Sequence, residues 1–217
     1  MFKMLEKISV VGFDLDGTLY PITPEIKEKQ REKIYEKISI HFGISPEESR
    51  ELFEKYYGEL GSGIKSMEAI SKKLQRPFHN SHFIQESLEQ ADFLYLLKPN
   101  LLLNEMLVRI SKIKRLDLIT GSTSAFLLKK LERIGISPDL FQLLSTHEDG
   151  SKSSQEIYLK WLSQTKRLPS QHIYVGDNPK LDIDVPKSLG IKTCFLGEYN
   201  RADFQIKDIL ELENLLR

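Results

Sequence analysis

Short apolar runs recur along the chain and predict the strands of a sheet. The first run extends from Ile8 to Phe13, is rich in β-branched residues and lies between Lys7 and Asp14. Similar runs follow much later, at residues 116–119, 141–144, 173–175 and 191–196. Apolar runs of this length, bounded by polar residues, are typical of buried strands.

Amphipathic helices are predicted between the later runs. Residues 103, 106, 107 and 110 are apolar at the spacing i, i+3, i+4, i+7, and residues 127, 131 and 134 repeat most of it. Gly135 stands where a glycine commonly ends a helix, and residues 202–216 predict a last helix. Strands that alternate with helices favour a parallel sheet covered on both faces, so we expect a three-layer, Rossmann-like α/β core.

The segment between Pro21 and Tyr95 has a different pattern. It is rich in Glu and Lys, reads as helical and contains no convincing strand. Its sequence Ser45-Pro46-Glu47-Glu48 is a capping box with proline at the first helical position, which predicts a helix start. We therefore expect an inserted all-helical cap domain at residues 21–95, and an α/β core domain formed by residues 1–20 and 96–217.

Composition and charge exclude several classes of protein. The 217 residues include 31 Lys and Arg against 31 Asp and Glu, and the helical insert is slightly acidic, so a nucleic-acid polymer is not an expected partner. No apolar run is long enough for a membrane span, and the N-terminus does not resemble a signal peptide. The single cysteine, Cys194, fits a reducing compartment, and we expect a cytoplasmic protein with no membrane partner.

Polar residues with recognisable chemistry follow the predicted strands. In an open parallel sheet, ligands bind beyond the carboxyl ends of the strands, so these residues are expected at one edge. The candidates are Asp14 and Asp16 after the first strand, Thr120 and Gly121 after the second, Lys152 in the loop after the third, and Asp177 and Asp182 after the fourth.

This set of residues suits a phosphoryl group held beside a divalent metal. Asp14 and Asp177 supply hard oxygen ligands for Mg²⁺, and Lys152 offers a compact positive charge to phosphate oxygens. Thr120 and the N–H groups after it are predicted at a helix N-terminus, where an anion is favoured. One carboxylate could attack phosphorus, and a second could transfer the proton.

Four segments resemble, in order, the motifs of the haloacid dehalogenase superfamily: FDLDGTLY, LITGST, the lysine of GSKSSQEIY, and VGDNPKLDID. The resemblance implies that Asp14 is the nucleophile and a Mg²⁺ ligand. It implies that Asp16 is the general acid and base and gives its backbone carbonyl to the metal. It further implies that Asp177 is a metal ligand, that Thr120, Gly121 and Lys152 bind phosphate, and that Asp182 supports Lys152 or a metal-bound water.

Finer resemblances concern the substrate. The Leu-Tyr-Pro after the first motif and parts of the insert resemble pyrimidine 5′-nucleotidase-like members, and phosphoglycolate-phosphatase-like members share the layout. The chain departs from such members at K-S-S-Q around Lys152 and at residues 183–186, where we expect Asp184 or a residue near it to cap a helix with Pro186 in its first turn. Four residues of the cap are candidate substrate contacts: Tyr56, Tyr57, Ser62 and Lys65.

The sequence thus predicts a Mg²⁺-dependent phosphomonoesterase that acts on a small phosphate ester, with a nucleoside 5′-monophosphate favoured. A phosphosugar mutase and a phosphoglycolate-type phosphatase remain alternatives within the same chemistry. From other classes, a receiver-like phosphoaspartate domain and a non-catalytic binding protein also remain open. A second acid at position 16 argues against a dehalogenase. The sequence makes no prediction about the oligomeric state.

Overall fold

A parallel β-sheet organises the α/β part of the chain. The computed structural model describes residues 5–216 and contains, within them, strands β1 (Val10–Phe13), β2 (Arg115–Ile119), β3 (Leu143–Ser145), β4 (His172–Gly176), β5 (Lys192–Leu196) and β6 (Phe204–Ile206). The strand order is β3-β2-β1-β4-β5-β6, and every neighbouring pair is parallel. The predicted Rossmann-like parallel sheet is therefore confirmed.

The chain divides into two compact units. Of the described residues, 5–21 and 97–216 form the α/β unit, and Ile22–Leu96 form a helical unit. The helical unit contains α1 (Pro24–Phe42), α2 (Pro46–Leu60), α3 (Gly63–Leu74) and α4 (Phe83–Gln90). The α/β unit contains α5 (Leu101–Ser111), α6 (Ser124–Ile134), α7 (Glu156–Thr165), α8 (Val185–Ser188) and α9 (Leu212–Leu216).

The five predicted strands are present with ends shifted by one or two residues, but the predicted C-terminal helix is wrong over its first half. A sixth strand, β6, occupies part of that segment and pairs with β5. Phe204 and Ile206 are buried while Gln205 between them is exposed, which is the period of a strand and not of a helix. Only the end of the segment is helical, first as a 3₁₀ turn at Ile209–Glu211 and then as α9.

Gly12 makes room for the largest side chain of the core. The Trp161 indole of α7 packs so closely over β1 that a Cβ on Gly12 would lie 2.6 Å from Cη2 of the ring. The same Cβ would lie 2.9 Å from Cδ1 of Ile119 in β2. The indole is held in place because its N–H donates a hydrogen bond of 2.7 Å to the buried carboxylate of Asp117, which also accepts from Arg115. Trp161 therefore has little freedom to move aside.

The helical unit has a separate apolar core. Buried side chains from α1 to α4 meet in one cluster: Ile34, Ile38, Phe42, Phe53, Met67, Ile70 and Phe83. The predicted helix start at Pro46 is confirmed, because the Ser45 hydroxyl accepts a hydrogen bond from the backbone N–H of Glu48. Thr23 and Pro24 begin α1 in the same way.

Over residues 5–216, no helix combines the length and the apolar character that a transmembrane helix requires.

Replacing Gly12 by alanine should destabilise the protein by about 1–3 kcal/mol, because the added methyl overpacks a rigid indole. Gly58, in α2, has nothing within 4 Å of the corresponding Cβ, so Gly58→Ala should be neutral or stabilising by up to about 1 kcal/mol. Urea unfolding measures the first variant by Trp161 fluorescence and the second by helical circular dichroism. Equal effects of the two substitutions would contradict this account of the Gly12 contact.

Candidate active site

A tight turn follows β1 and presents two carboxylates. The backbone N–H of Asp14 donates to the carbonyl of Val175 at 2.9 Å, which ties the end of β1 to β4. Gly17 then takes a φ of +89°, and its N–H donates to the carbonyl of Tyr20. A left-handed φ of this kind favours glycine. The turn therefore returns the chain so that Tyr20 lies beside Asp16.

Lys152 is buried between two carboxylates. Its Nζ donates to Oδ1 of Asp14 and, at 3.0 Å, to Oδ1 of Asp182. The lysine side chain is 8% exposed and that of Asp182 is 1% exposed. A buried ammonium is costly to desolvate unless it is paired in this way. The structure thus brings together three of the residues that the sequence singled out.

Asp177 completes a group of carboxylates that could hold a cation. Carboxylate oxygens of Asp14, Asp177 and Asp182 lie within 4.8 Å of one another. Two glycines permit this approach, since a Cβ on Gly17 would lie 2.6 Å from Cγ of Asp177 and one on Gly176 would lie 2.6 Å from Cγ of Asp182. The metal set expected from the sequence was Asp14, Asp177 and the backbone carbonyl of Asp16, so the side chain of Asp182 is an addition.

The cluster of Asp14, Asp177 and Asp182 contains more acidic groups than positive partners. Burial raises the pKa of Asp14 well above its usual value, with Lys152 opposing the shift and the neighbouring carboxylates adding to it. Burial, followed by the charge of Asp182, raises the pKa of Asp177 to about 7. Burial acts to lower the pKa of Lys152, but Asp14 and Asp182 raise it well above the usual value, so the ammonium stays charged. One lysine therefore faces three carboxyl groups.

Asp16 has a different set of partners from Asp14. Its Oδ1 accepts hydrogen bonds from the Tyr20 hydroxyl and, at 2.5 Å, from Nζ of Lys130. Its Oδ2 accepts from the Ser122 hydroxyl at 3.1 Å, and Lys130 also donates to that hydroxyl at 2.8 Å. Each of the two acids of the first motif is thus paired with its own buried lysine.

The partners of Asp16 separate its proton affinity from that of Asp14. Burial acts to raise the pKa of Asp16, but the charge and hydrogen bond of Lys130, with those of Tyr20 and Ser122, lower it overall. Burial, and next the carboxylate of Asp16, raise the pKa of Tyr20 well above its usual value, so the phenol remains a donor. The two aspartates therefore differ in proton affinity through protein contacts alone.

Thr120 does not lie at the helix N-terminus that the sequence predicted for it. It is buried at the end of β2, and its hydroxyl accepts a hydrogen bond from the backbone N–H of Ser122 at 3.1 Å. The residue that caps α6 is Thr123, whose hydroxyl accepts from the N–H of Phe126. Thr120 and Gly121 therefore belong to the turn that leads into the helix. Their expected phosphate-binding role stays a prediction.

The loop after β4 also differs from expectation. Asn178, and not Asp184, caps the helical segment there, because its side chain accepts from the N–H groups of Lys180 and Leu181. That segment is a π-helical turn at Pro179–Asp184, followed directly by α8. Asp184 makes no capping hydrogen bond and instead accepts from the Tyr199 hydroxyl. Its position inside continuous helical backbone removes the need for a cap.

The candidate substrate contacts of the insert lie in or next to two helices of the helical unit. Tyr57 stacks on Phe53, and the guanidinium of Arg31 lies 4.2 Å from its ring centroid. Tyr56 also packs against the apolar cluster of that unit. Ser62 is buried just before α3, and Lys65 is exposed within it. Their proposed contact with substrate remains a prediction.

Three residues that contact Asp16 were not predicted from the sequence: Lys130, Tyr20 and Ser122. A signal for Lys130 was present, since positions 127, 130, 131 and 134 follow the spacing i, i+3, i+4, i+7 of a buried helix face. Lysine at such a position is unusual unless it is paired, and Lys130 is fully buried. A buried lysine on an otherwise apolar face indicates a carboxylate partner.

The fold and the site together place an acidic centre at the carboxyl edge of a parallel sheet, the edge at which α/β enzymes of this architecture bind their ligands. A family model described as haloacid dehalogenase-like hydrolase matches residues 11–196. The chain belongs to this family, as the resemblance of its motifs indicated.

Two curated proteins with related sequences illustrate the range of the family. The chain is 24% identical to a glyceraldehyde 3-phosphate phosphatase from Methanocaldococcus jannaschii, over 97% of both chains. It is 28% identical to phosphate metabolism protein 8 from Saccharomyces cerevisiae, over 61% of this chain but 41% of the yeast protein. The chain thus matches less than half the length of the yeast relative.

Solved structures share the fold at low sequence identity. A phosphatase from Thermococcus onnurineus superimposes with a TM-score of 0.65 at 24% identity, covering 96% of this chain and 98% of the other. A 2-haloacid dehalogenase from Pseudomonas syringae superimposes with a TM-score of 0.58 at 23% identity, with the same coverage. Because proteins with different reactions share this fold, the fold alone does not select the reaction.

Replacing Lys152 by methionine should destabilise the protein by about 3–5 kcal/mol in the presence of a chelator, because Asp14 and Asp182 lose their shared buried counter-charge. Lys160, which pairs with Asp149 on the surface, is the matched control, and Lys160→Met should cost less than about 1 kcal/mol. Urea unfolding gives both values. Adding Asp182→Asn to the Lys152→Met variant should restore part of the lost stability. If the two substitutions instead lower the free energy of unfolding additively, the pairing of Lys152 with Asp182 would be contradicted.

Proposed function

We propose that this enzyme is a Mg²⁺-dependent phosphomonoesterase that hydrolyses a small phosphate ester through an aspartyl-phosphate on Asp14. The observation that carries the proposal is that two acids only two residues apart in the sequence have different contacts. Asp14 lies in the group of carboxylates with Lys152, whereas Asp16 lies outside it and contacts Lys130, Tyr20 and Ser122. A nucleophile and a proton-transfer group need different surroundings. Asp14 must be ionised to attack and Asp16 protonated to donate, which is the reverse of the directions of their pKa values without a ligand, so the proposal requires a cation beside Asp14 and the negative charge of the phosphate ester beside Asp16.

In the first step, a carboxylate oxygen of Asp14 attacks phosphorus, and the bond from phosphorus to the ester oxygen breaks. The departing oxygen takes a proton from Asp16, so an alcohol leaves and Asp14 carries the phosphoryl group. Lys152 lies within reach of Asp14 Oδ1 and can hold a phosphoryl oxygen when the group is transferred. Its compact ammonium is suited to the negative charge that spreads over these oxygens.

In the second step, water attacks phosphorus and gives its proton to Asp16, which now acts as the base. The bond from phosphorus to Asp14 breaks, which releases inorganic phosphate and restores both carboxyl groups. Asp16 thus ends the cycle in its starting protonation state, and no other reactant is consumed. A general acid and base of this kind contributes about 10²–10⁴ to the rate.

The cluster of Asp14, Asp177 and Asp182 has the chemistry of a site for a hard divalent cation. Carboxylate oxygens are the ligands that Mg²⁺ prefers, and Asp14, Asp177 and Asp182 have one positive partner, Lys152, in the contacts described above. A dication would offset the remaining negative charge. When bound, Mg²⁺ would supply positive charge for phosphoryl oxygens and neutralise charge that develops during transfer. Asp14 and Asp177 are the proposed ligands, with Asp182 as a supporting carboxylate that also holds Lys152.

The proposed substrate is a small, soluble phosphate ester. The relative from M. jannaschii is named for glyceraldehyde 3-phosphate, which supports testing triose phosphates beside the nucleoside 5′-monophosphates favoured from the motifs. The helical unit, residues 22–96, is proposed to act as the cap that selects the substrate, with Tyr56, Tyr57, Ser62 and Lys65 as candidate contacts. A cytoplasmic location is part of the same proposal and rests on the single, buried Cys194.

Asp14→Asn should abolish release of phosphate from p-nitrophenyl phosphate, because an amide oxygen is a poor nucleophile. Asp16→Asn should reduce steady-state turnover by about 10²–10⁴ while still allowing a burst of p-nitrophenol, because this leaving group needs little protonation. Stopped-flow absorbance measures the burst, and malachite green measures phosphate.

Asp139→Asn serves as the matched control for these substitutions, because Asp139 is an exposed aspartate of the α/β unit. It should leave both signals unchanged. Undiminished turnover in Asp14→Asn would contradict the proposed mechanism. With a sugar phosphate as substrate, an isomerised product in place of free phosphate would instead select the mutase reaction.

Excess Mg²⁺ should raise the melting temperature, by about 2–4 °C for each kcal/mol of linked binding energy. In a chelator, Asp177→Asn should melt at a higher temperature than the unsubstituted protein because it removes one of three crowded carboxylates. The same variant should lose most of the response to Mg²⁺. Differential scanning fluorimetry at constant ionic strength measures both effects, with Asp139→Asn as control; an unchanged Mg²⁺ response in Asp177→Asn would argue against this site.

A further inference from the structure

The lysine of α6 is placed where an ordinary helix would present an apolar side chain to the core. Lys130 is fully buried, and its Nζ lies 4.5 Å from the centroid of the Phe126 ring one turn earlier. The residues on either side of it along the buried face are apolar, Leu127 and Leu131. A lysine in this position costs desolvation energy that its contacts must offset.

Lys130 and Tyr20 both donate to the same oxygen of Asp16. Nζ donates to Oδ1 at 2.5 Å, and the Tyr20 hydroxyl donates to the same oxygen. A carboxylate oxygen has two lone pairs for conventional hydrogen bonds, and these two donors engage both on Oδ1. The proton that Asp16 exchanges must therefore be carried on Oδ2, the oxygen that faces the Ser122 hydroxyl at 3.1 Å.

The environment of Asp16 leaves it a route to a ligand. Its side chain is 26% exposed, whereas that of Lys130 is fully enclosed. The enclosed lysine therefore contacts a carboxylate whose side chain is itself only partly enclosed. As Asp16 releases its proton to a leaving group, it becomes negatively charged, and an ammonium already in place stabilises that charge without reorganisation.

We propose that Lys130 is a positioning residue for catalysis: with Tyr20 it holds Oδ1 of Asp16, so that Oδ2 is the oxygen that gives the proton to the leaving group and later takes one from water. This inference rests on the proposed phosphomonoesterase function and adds a requirement to it. Lys130 itself forms no bond to substrate in this scheme. Its contribution passes entirely through the orientation and charge of Asp16.

The test compares two generic substrates, p-nitrophenyl phosphate and phenyl phosphate, whose leaving groups differ in their need for a proton. Lys130→Met should lower kcat/KM for phenyl phosphate by about 10- to 100-fold, but for p-nitrophenyl phosphate by less than about threefold. It should also produce a burst of p-nitrophenol, because the second step still needs Asp16 as a base. Lys130→Arg, which retains a cationic donor, should recover part of the phenyl phosphate activity.

Two further variants separate positioning from folding. Lys129→Met changes the exposed neighbour of Lys130 on the same helix and should leave both substrates unaffected. Tyr20→Phe removes a single hydroxyl, keeps the ring, and should shift the ratio of the two kcat/KM values in the same direction by a smaller factor. If Lys130→Met does not fold, the ratio of the two kcat/KM values in Tyr20→Phe tests the proposal instead.

The outcomes distinguish this inference from the proposed function. Equal losses with both substrates, or an unchanged ratio in Lys130→Met and Tyr20→Phe, would overturn the role of Lys130 while hydrolysis that depends on Asp14 still supports the phosphomonoesterase. Absence of hydrolysis of either ester by the unsubstituted enzyme with Mg²⁺ would overturn the proposed function, and this inference with it.

Discussion

The site depends on one electrostatic constraint: three carboxylates converge at the end of a parallel sheet with a single ammonium between two of them. Asp14, Asp177 and Asp182 repel one another, and Lys152 offsets only part of that repulsion. The backbone keeps them together because β1 and β4 are adjacent strands and their carboxyl ends meet. The three acids outnumber the lysine, so positive charge added at this centre would stabilise it.

The separation of Asp14 from Asp16 follows from the geometry of the turn after β1. The left-handed Gly17 lets the chain reverse, so that Tyr20 reaches Asp16, and the parallel neighbour β2 leads into the helix that carries Lys130. Two acids with almost the same position in the sequence thus face different cations. Membership of the haloacid dehalogenase-like hydrolase family is established for this chain, and this arrangement is what favours the proposed phosphate ester chemistry within it.

The sequence predicted the parts of the structure that follow from local periodicity and from adjacency of strand ends. The five strands and the grouping of Asp14, Lys152, Asp177 and Asp182 belong to this class. The strand β6 was missed because its three residues form a strand only by pairing with β5, which local pattern does not contain. Lys130 was missed for a related reason: its partner, Asp16, lies more than a hundred residues away. The helical spacing already indicated that Lys130 is buried, but the identity of its partner is visible only once the chain is folded.

The π-helical turn at Pro179–Asp184 has a consequence for how this enzyme could diverge. The turn is closed on itself, since the N–H of Asn178 donates to Oδ2 of Asp182 and the N–H of Asp182 donates to the carbonyl of Asn178. A π-helical turn accommodates one residue more than the equivalent α-helical segment. Loss of one residue here would rotate Asp182 by about 100° and take it away from Lys152. The length of this loop therefore sets the position of Asp182 as much as the identity of that residue does.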